Sequence, residues 1–188
     1  MSTAVSEPKE PRSTLLQMPS KDRELYRGEW LSVRRTADDY EYMRQVKMGT
    51  EAVAVLGYVS SWLLGRFEIC PAHGDHRPEL CALTGGIEPG ESPVEAAVRE
   101  LREESGFDVP MHSIRELGRP MRPSKASDTI IHLFTVPLKV EGVDGDFFGA
   151  GDGTEGEKGA FCRFVHLRDA LASKDPLLVS MAARRTGL

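Results

Sequence analysis

The chain has 188 residues, 24 Lys and Arg against 29 Asp and Glu, a net charge of −5, and 40 % apolar residues, the size and balance of one water-soluble globular domain. Its longest apolar run, Ala52 to Val59, falls far short of the roughly 18–20 residues of a membrane span, and the start Met1-Ser2-Thr3-Ala4-Val5-Ser6-Glu7-Pro8 lacks the basic and apolar regions of a signal peptide, so no membrane association and a cytoplasmic location are expected. The acidic balance, with basic residues gathered only in pairs such as Arg34-Arg35 and Arg184-Arg185, excludes a nucleic-acid backbone binder.

Residues 1–22 are rich in Pro, Ser, Thr and charge and read as a flexible N-terminal tail, leaving 23–188 as one domain. Trp30 to Arg34, Tyr40 to Lys47, Ala52 to Val59 and Trp62 to Ile69 read as successive antiparallel strands, rich in β-branched and aromatic residues and separated by turn formers. Cys70 to Pro78 is a loop by composition, followed by a brief strand, Leu80 to Leu83, and a glycine-rich loop, Gly85 to Gly90. Ser92-Pro93-Val94-Glu95 is a capping box with proline at the first helical position, the strongest helix signal in the chain. In that helix Val94, Ala97, Val98 and Leu101 form one apolar stripe, and Gly106 is the stop. Ser113 to Met121 and Thr129 to Val140 read as strands, Glu141 to Gly159 as a Gly/Asp/Glu-rich loop, and Ala160 to Leu167 as a strand. Two short helices end the chain, Arg168 to Ala172 and Pro176 to Arg184, the second with Asp175 as N-cap.

Glu100, Glu103 and Glu104 stand at i, i+3 and i+4 of the helix, so three carboxylates share one patch in its last two turns. Each acid near that negative end is disfavoured by about 0.3–1 kcal/mol, and like charges four apart add a few tenths more. Arg99 can pair with Glu95 or Glu103, yet the local excess stays negative. A solvated charged face is one reading. A hard divalent cation is the other, because Mg²⁺ or Mn²⁺ takes carboxylates, water and phosphate oxygens, and Gly85, Gly86 and Gly90 allow tight backbone beside such a ligand.

The stretch Gly85-x5-Glu91-x7-Arg99-Glu100-Leu101-x-Glu103-Glu104-x-Gly106-Phe107 resembles, position for position, the signature box of the Nudix hydrolases; a random match is on the order of 10⁻⁹ per window. The resemblance implies an α/β fold, the Nudix-type α/β/α sandwich with a mixed β-sheet and an additional antiparallel sheet. It implies hydrolysis of a nucleoside diphosphate linked to another moiety, with Mg²⁺ or Mn²⁺ as cofactor. The metal ligands would be Glu100, Glu103 and Glu104 with the carbonyl near Gly85. Arg99 would hold the glutamates in register, and Glu91 would support the metal or its water shell. The general base is expected in Gly151 to Glu157, as Glu155 or Glu157, with Glu103 or Glu104 as the alternative; both loop glutamates as plain loop charges is the competing reading.

Pro123, 16 residues past Phe107, is similar to a marker proline of the ADP-ribose branch. Ala82-Leu83-Thr84-Gly85 departs from the Leu-Pro-Ala-Gly of that branch, which leaves other nucleotide sugars, dinucleoside polyphosphates and nucleoside triphosphates open as substrates. The branch also implies a homodimer. A non-catalytic module that senses a nucleotide sugar is the reading of another class, and the complete set of glutamates favours the enzyme. Arg66, with Tyr26, Trp30 and Phe67, is a candidate contact to base or ribose. The three cysteines, Cys70, Cys81 and Cys162, form no Cys-x-x-Cys pair and fit free thiols in a reducing compartment. Cys70-x2-His73-x2-His76-x4-Cys81 can also be read as a zinc loop, against which stand its short spacings and the expected burial of Cys81 as a small hydrophobe.

Overall fold

The computed structural model describes residues 22–70, 72, 74, 76–151 and 159–187. Its centre is a strand buried on both faces, β4 (Glu51–Val59). Because successive side chains of a strand point to opposite faces, Ala52, Ala54 and Leu56 pack with one cluster, while Val53 and Val55 pack with the other. The first cluster is closed by Leu177, Leu178, Met181 and Ala182 of α3 (Pro176–Thr186), and the second by Ala96, Ala97 and Leu101 of α1 (Pro93–Ser105). Helices therefore cover both faces of one sheet, the expected α/β/α sandwich.

That sheet is mixed. β4 runs parallel to β9 (Ile130–Pro137), whose other edge pairs antiparallel with β8 (Arg115–Glu116). On its opposite side β4 meets β5 (Trp62–Ile69) only at the hairpin end, Tyr58 to Leu63 and Val59 to Trp62, and β5 pairs in turn with β10 (Phe161–His166). Beyond the hairpin, β6 (Pro78–Cys81) pairs with β5 and β7 (Leu83–Gly86) pairs with β4. Residues 78–86 thus change partner at Ala82, whose N–H donates to Asp175 Oδ2 at 2.7 Å. The brief strand expected at Leu80 to Leu83 is two strands, and Gly85 and Gly86 of the expected loop are ladder residues opposite Val53 and Ala52.

A separate antiparallel sheet contains β1 (Arg23–Arg27), β2 (Leu31–Arg35) and β3 (Glu41–Gln45). The four segments that read as one antiparallel succession therefore belong to two sheets. β1 carries no strand signal of its own, because its residues, Arg-Glu-Leu-Tyr-Arg, are mostly exposed and only the pairing with β2 makes them a strand. The strand expected over Ser113 to Met121 is also corrected: a 3₁₀ turn, Met111–Ser113, precedes the two-residue β8, one more hydrogen bond follows from the Leu117 N–H to the Leu133 carbonyl, and after a break pairing resumes at the Met121 to Ile131 bridge. Gly118 sits at φ 79° and Pro120 has no N–H to donate, which breaks the ladder. The two C-terminal helices stand as expected, α2 (Leu167–Leu171) and α3, with Asp175 accepting from Leu177 N at 2.9 Å.

Candidate active site

The helix that carries the glutamates starts and stops where its local chemistry dictates. Ser92 Oγ accepts from the Glu95 N–H, Glu95 Oε2 accepts from the Ser92 N–H at 2.8 Å, Pro93 occupies the first turn, and Gly106 closes the helix in the left-handed region at φ 78°. Glu95 is committed to this capping box, so Arg99 takes other partners. Its Nε and Nη2 donate to Glu91 at 3.0 and 2.9 Å, its Nη1 to Glu100 at 2.6 Å and Glu103 at 3.0 Å, and Nη2 also to the Gly86 carbonyl at 2.7 Å. One guanidinium thus locks three carboxylates and the end of β7, and its own proton is held more tightly than usual by these hydrogen bonds.

The three helix glutamates do not form a solvated patch. Side-chain exposure falls from 28 % at Glu103 to 11 % at Glu100 and 6 % at Glu104. Glu100 lies against β7, where a Cβ built on Gly85 would stand 1.8 Å from its carboxylate carbon, so glycine is required there for the carboxylate to fit. Burial pushes the Glu100 carboxyl up to about 7 in spite of the neighbouring Arg99 cation. Glu91, by contrast, is held below the usual carboxylate range by its Arg99 hydrogen bonds.

Glu104 turns to the sheet and pairs with Arg66 Nη1 at 2.7 Å. Arg66, on β5, is nearly buried and also donates through Nε to Glu68 Oε2 at 2.8 Å. The structure therefore places Arg66 beneath the glutamates, joining β5 to α1. A signal for this lies in the sequence: Arg66 is the only basic residue in the apolar segment Trp-Leu-Leu-Gly-Arg-Phe-Glu-Ile, and Glu68 shares its face two residues on.

Arg99, Glu100, Glu103 and Glu104 form one wall of a cavity of about 630 Å³, lined also by Gly85, Gly86, Trp30, Lys47, Met48 and Gly151, a volume suited to a small-molecule ligand. Lys47 Nζ lies 4.0 Å over the Trp30 ring at the rim; neither Lys47 nor Met48 carries a motif that marks it as a site residue. The expected 141–159 loop is anchored to the site: Phe147 bridges to Cys162, a Cβ on Gly149 would stand 1.8 Å from the Glu103 carbonyl oxygen, and the Gly151 N–H donates to that oxygen at 2.8 Å. Glu155 and Glu157 lie outside the described residues. Pro123 is exposed and is not among the residues lining the cavity; its loop docks on β3, where the Met43 N–H donates to the Ala126 carbonyl at 2.8 Å.

The donor set fits a hard divalent cation. Carboxylates of Glu100, Glu103 and Glu104 line one cavity and offer oxygen donors, Arg99 fixes the first two while Glu104 pairs with Arg66, and glycine at position 85 leaves the space that the Glu100 carboxylate fills. Of the cysteine and histidine loop, His73 lies outside the described residues and His76 stands apart, but Cys70 and Cys81 approach one another. Burial raises both of their thiols.

The NUDIX domain model matches residues 52–182. The chain is 36 % identical over 136 residues to the ADP compounds hydrolase NudE of Escherichia coli (strain K12); the match covers 72 % of this chain and 66 %, just under two thirds, of that protein's length. A crystal structure of an ADP compounds hydrolase superposes with a TM-score of 0.62 at 21 % identity, covering 99 % of this chain and 96 % of that one, and so supports the fold. No described helix is long and apolar enough to cross a membrane. With the domain model spanning most of the chain and the signature glutamates gathered at one cavity, the chain belongs to the Nudix family.

Proposed function

We propose that this chain is a divalent-metal-dependent Nudix pyrophosphohydrolase that cleaves the pyrophosphate bond of a nucleoside diphosphate linked to another moiety, with ADP-ribose or a related nucleotide sugar giving AMP and a sugar phosphate. The observation that carries this reading is that Glu100, Glu103 and Glu104 line one cavity with Arg99, which Glu91 holds in place and which itself fixes Glu100 and Glu103. The relative's printed name, ADP compounds hydrolase, supports the substrate class.

Glu100, Glu103 and Glu104, with the backbone at Gly85, would hold Mg²⁺ or Mn²⁺, which when bound supplies the positive charge that polarises a phosphoryl oxygen and acidifies a water molecule. The protein's own part is positional. Arg99 fixes Glu100 and Glu103, Glu91 fixes Arg99, and Arg66 fixes Glu104 from below; preset geometry of this kind lowers the cost of ordering reactants. Arg66 acts on substrate only through Glu104 in this arrangement, and Trp30, half exposed at the rim, offers a ring face to the base. Glu155 or Glu157 would accept the proton of the attacking water, with Glu103 or Glu104 as the alternative base. Pro123 would act by shaping the loop docked on β3. A homodimer is supported by the exposed Tyr26, Leu31, Tyr40 and Met43 on and beside the small sheet.

The test is a substrate panel: ADP-ribose, other nucleotide sugars, dinucleoside polyphosphates and nucleoside triphosphates, each with Mg²⁺ or Mn²⁺, with products separated chromatographically. AMP from ADP-ribose as the preferred reaction supports the proposal. Inertness of every compound, with one of them raising the melting temperature, would replace it with a nucleotide-sugar sensor.

A further inference from the structure

Cys70 follows the end of β5, and Cys81 ends β6, where it stands opposite Arg66 in the β5 to β6 register. Their Sγ atoms stand 3.9 Å apart. Glu68 adds a carboxylate, and one of its oxygens and the two sulfurs lie within 4.8 Å of one another. These separations exclude one chemistry of a cysteine pair and leave room for another. A disulfide requires about 2.05 Å between sulfurs, whereas two thiolates at about 2.3 Å from a tetrahedral zinc stand about 3.8 Å apart. The observed spacing is that of a thiol–thiol hydrogen bond and also matches the tetrahedral edge, and both thiols are free.

The donor set and its surroundings agree with that geometry. Two sulfurs and a carboxylate oxygen suit zinc, whereas the all-oxygen glutamate cluster suits Mg²⁺. Glu68 is also oriented as a ligating carboxylate is, because its Oε2 accepts the Arg66 hydrogen bond at 2.8 Å. We infer that Glu68, Cys70 and Cys81 form a zinc site separate from the glutamate cluster, joining the ends of β5 and β6 and steadying, through Glu68, the arginine that holds Glu104. Zinc binding forms two zinc–sulfur bonds and one zinc–oxygen bond and releases the two thiol protons to solvent. The fourth position is left to water.

The experiment uses the full chain, reduced and stripped with a chelator, and titrates it with Co²⁺. Cobalt bound to thiolate shows a charge-transfer absorption that carboxylate-bound cobalt lacks, so the glutamate cluster is silent in this readout. The thiolate band should saturate at one equivalent, disappear on addition of zinc, be lost in Cys81→Ser and be weakened in Glu68→Gln. A second measurement needs no variant: zinc should slow alkylation of both Cys70 and Cys81 in the wild-type chain, read by mass. Cobalt uptake without the thiolate band, or alkylation of both cysteines as fast with zinc as without it, overturns the assignment.

Discussion

Replacing Glu100 by Gln should make the metal-free protein more stable while removing its activity. In the folded chain burial pushes the Glu100 carboxyl up to about 7 from an ordinary 4.5. At about 1.4 kcal/mol per pH unit, the difference is an ionisation cost of about 3 kcal/mol above pH 7. The sign follows from linkage: a carboxyl whose folded pKa is raised contributes stability that is full below pH 4.5, fades through the interval and is gone above about 7. Glutamine is neutral throughout and keeps a hydrogen-bonding oxygen towards Arg99. Urea unfolding of chelator-treated wild type and Glu100→Gln at acidic and alkaline pH therefore measures the cost directly. The two should unfold nearly together at low pH, with the variant more stable by up to about 3 kcal/mol at high pH. A variant less stable at high pH, or a difference that does not change with pH, would refute the desolvation argument.

Gly85→Ala should abolish activity through steric displacement, because the new Cβ would meet the Glu100 carboxylate at 1.8 Å; its stability loss should be about 1–3 kcal/mol, and turnover close to wild type would contradict the placement. Glu104→Gln should lower both activity and melting temperature, since it leaves buried Arg66 one charge short, at a cost of up to about 3 kcal/mol; unchanged stability measured by calorimetry would mean that the pair is not formed. Glu155→Gln and Glu157→Gln should differ, one lowering kcat at nearly constant KM; equal and small effects in steady-state kinetics would retire the loop base.

Helix α1 is legible in the sequence because its determinants are local: Ser92, Pro93, Glu95 and Gly106 each act on backbone groups within about a turn of themselves. The same holds for Asp175 at α3. That the glutamates share one cavity is legible too, but not their burial. Glu100 and Glu104 stand three residues beyond Ala97 and Leu101 of the apolar stripe, so both fall on its sheet-facing edge; taken as a face of their own, the acids conceal this. Contacts set by topology leave no such mark: Arg66 meets Glu104 only because β5 passes beneath α1, and Glu68 joins Cys70 and Cys81 only because β6 returns along β5. β1 shows the same limit, since a polar strand at the edge of a small sheet leaves no periodic trace.

Turnover of ADP-ribose to AMP by the wild-type chain and Glu103→Gln, followed side by side as Mg²⁺ is titrated in, tests the central claim most directly. Glu103 is the most exposed of the three helix glutamates, so its replacement perturbs the fold least. The account predicts no turnover without the cation, saturable turnover in the wild type, and loss of nearly all of it in the variant with the melting temperature unchanged. Full turnover in chelator, or a variant as active as the wild type, would contradict the assignment of the glutamate cluster as the metal-binding centre of a pyrophosphohydrolase.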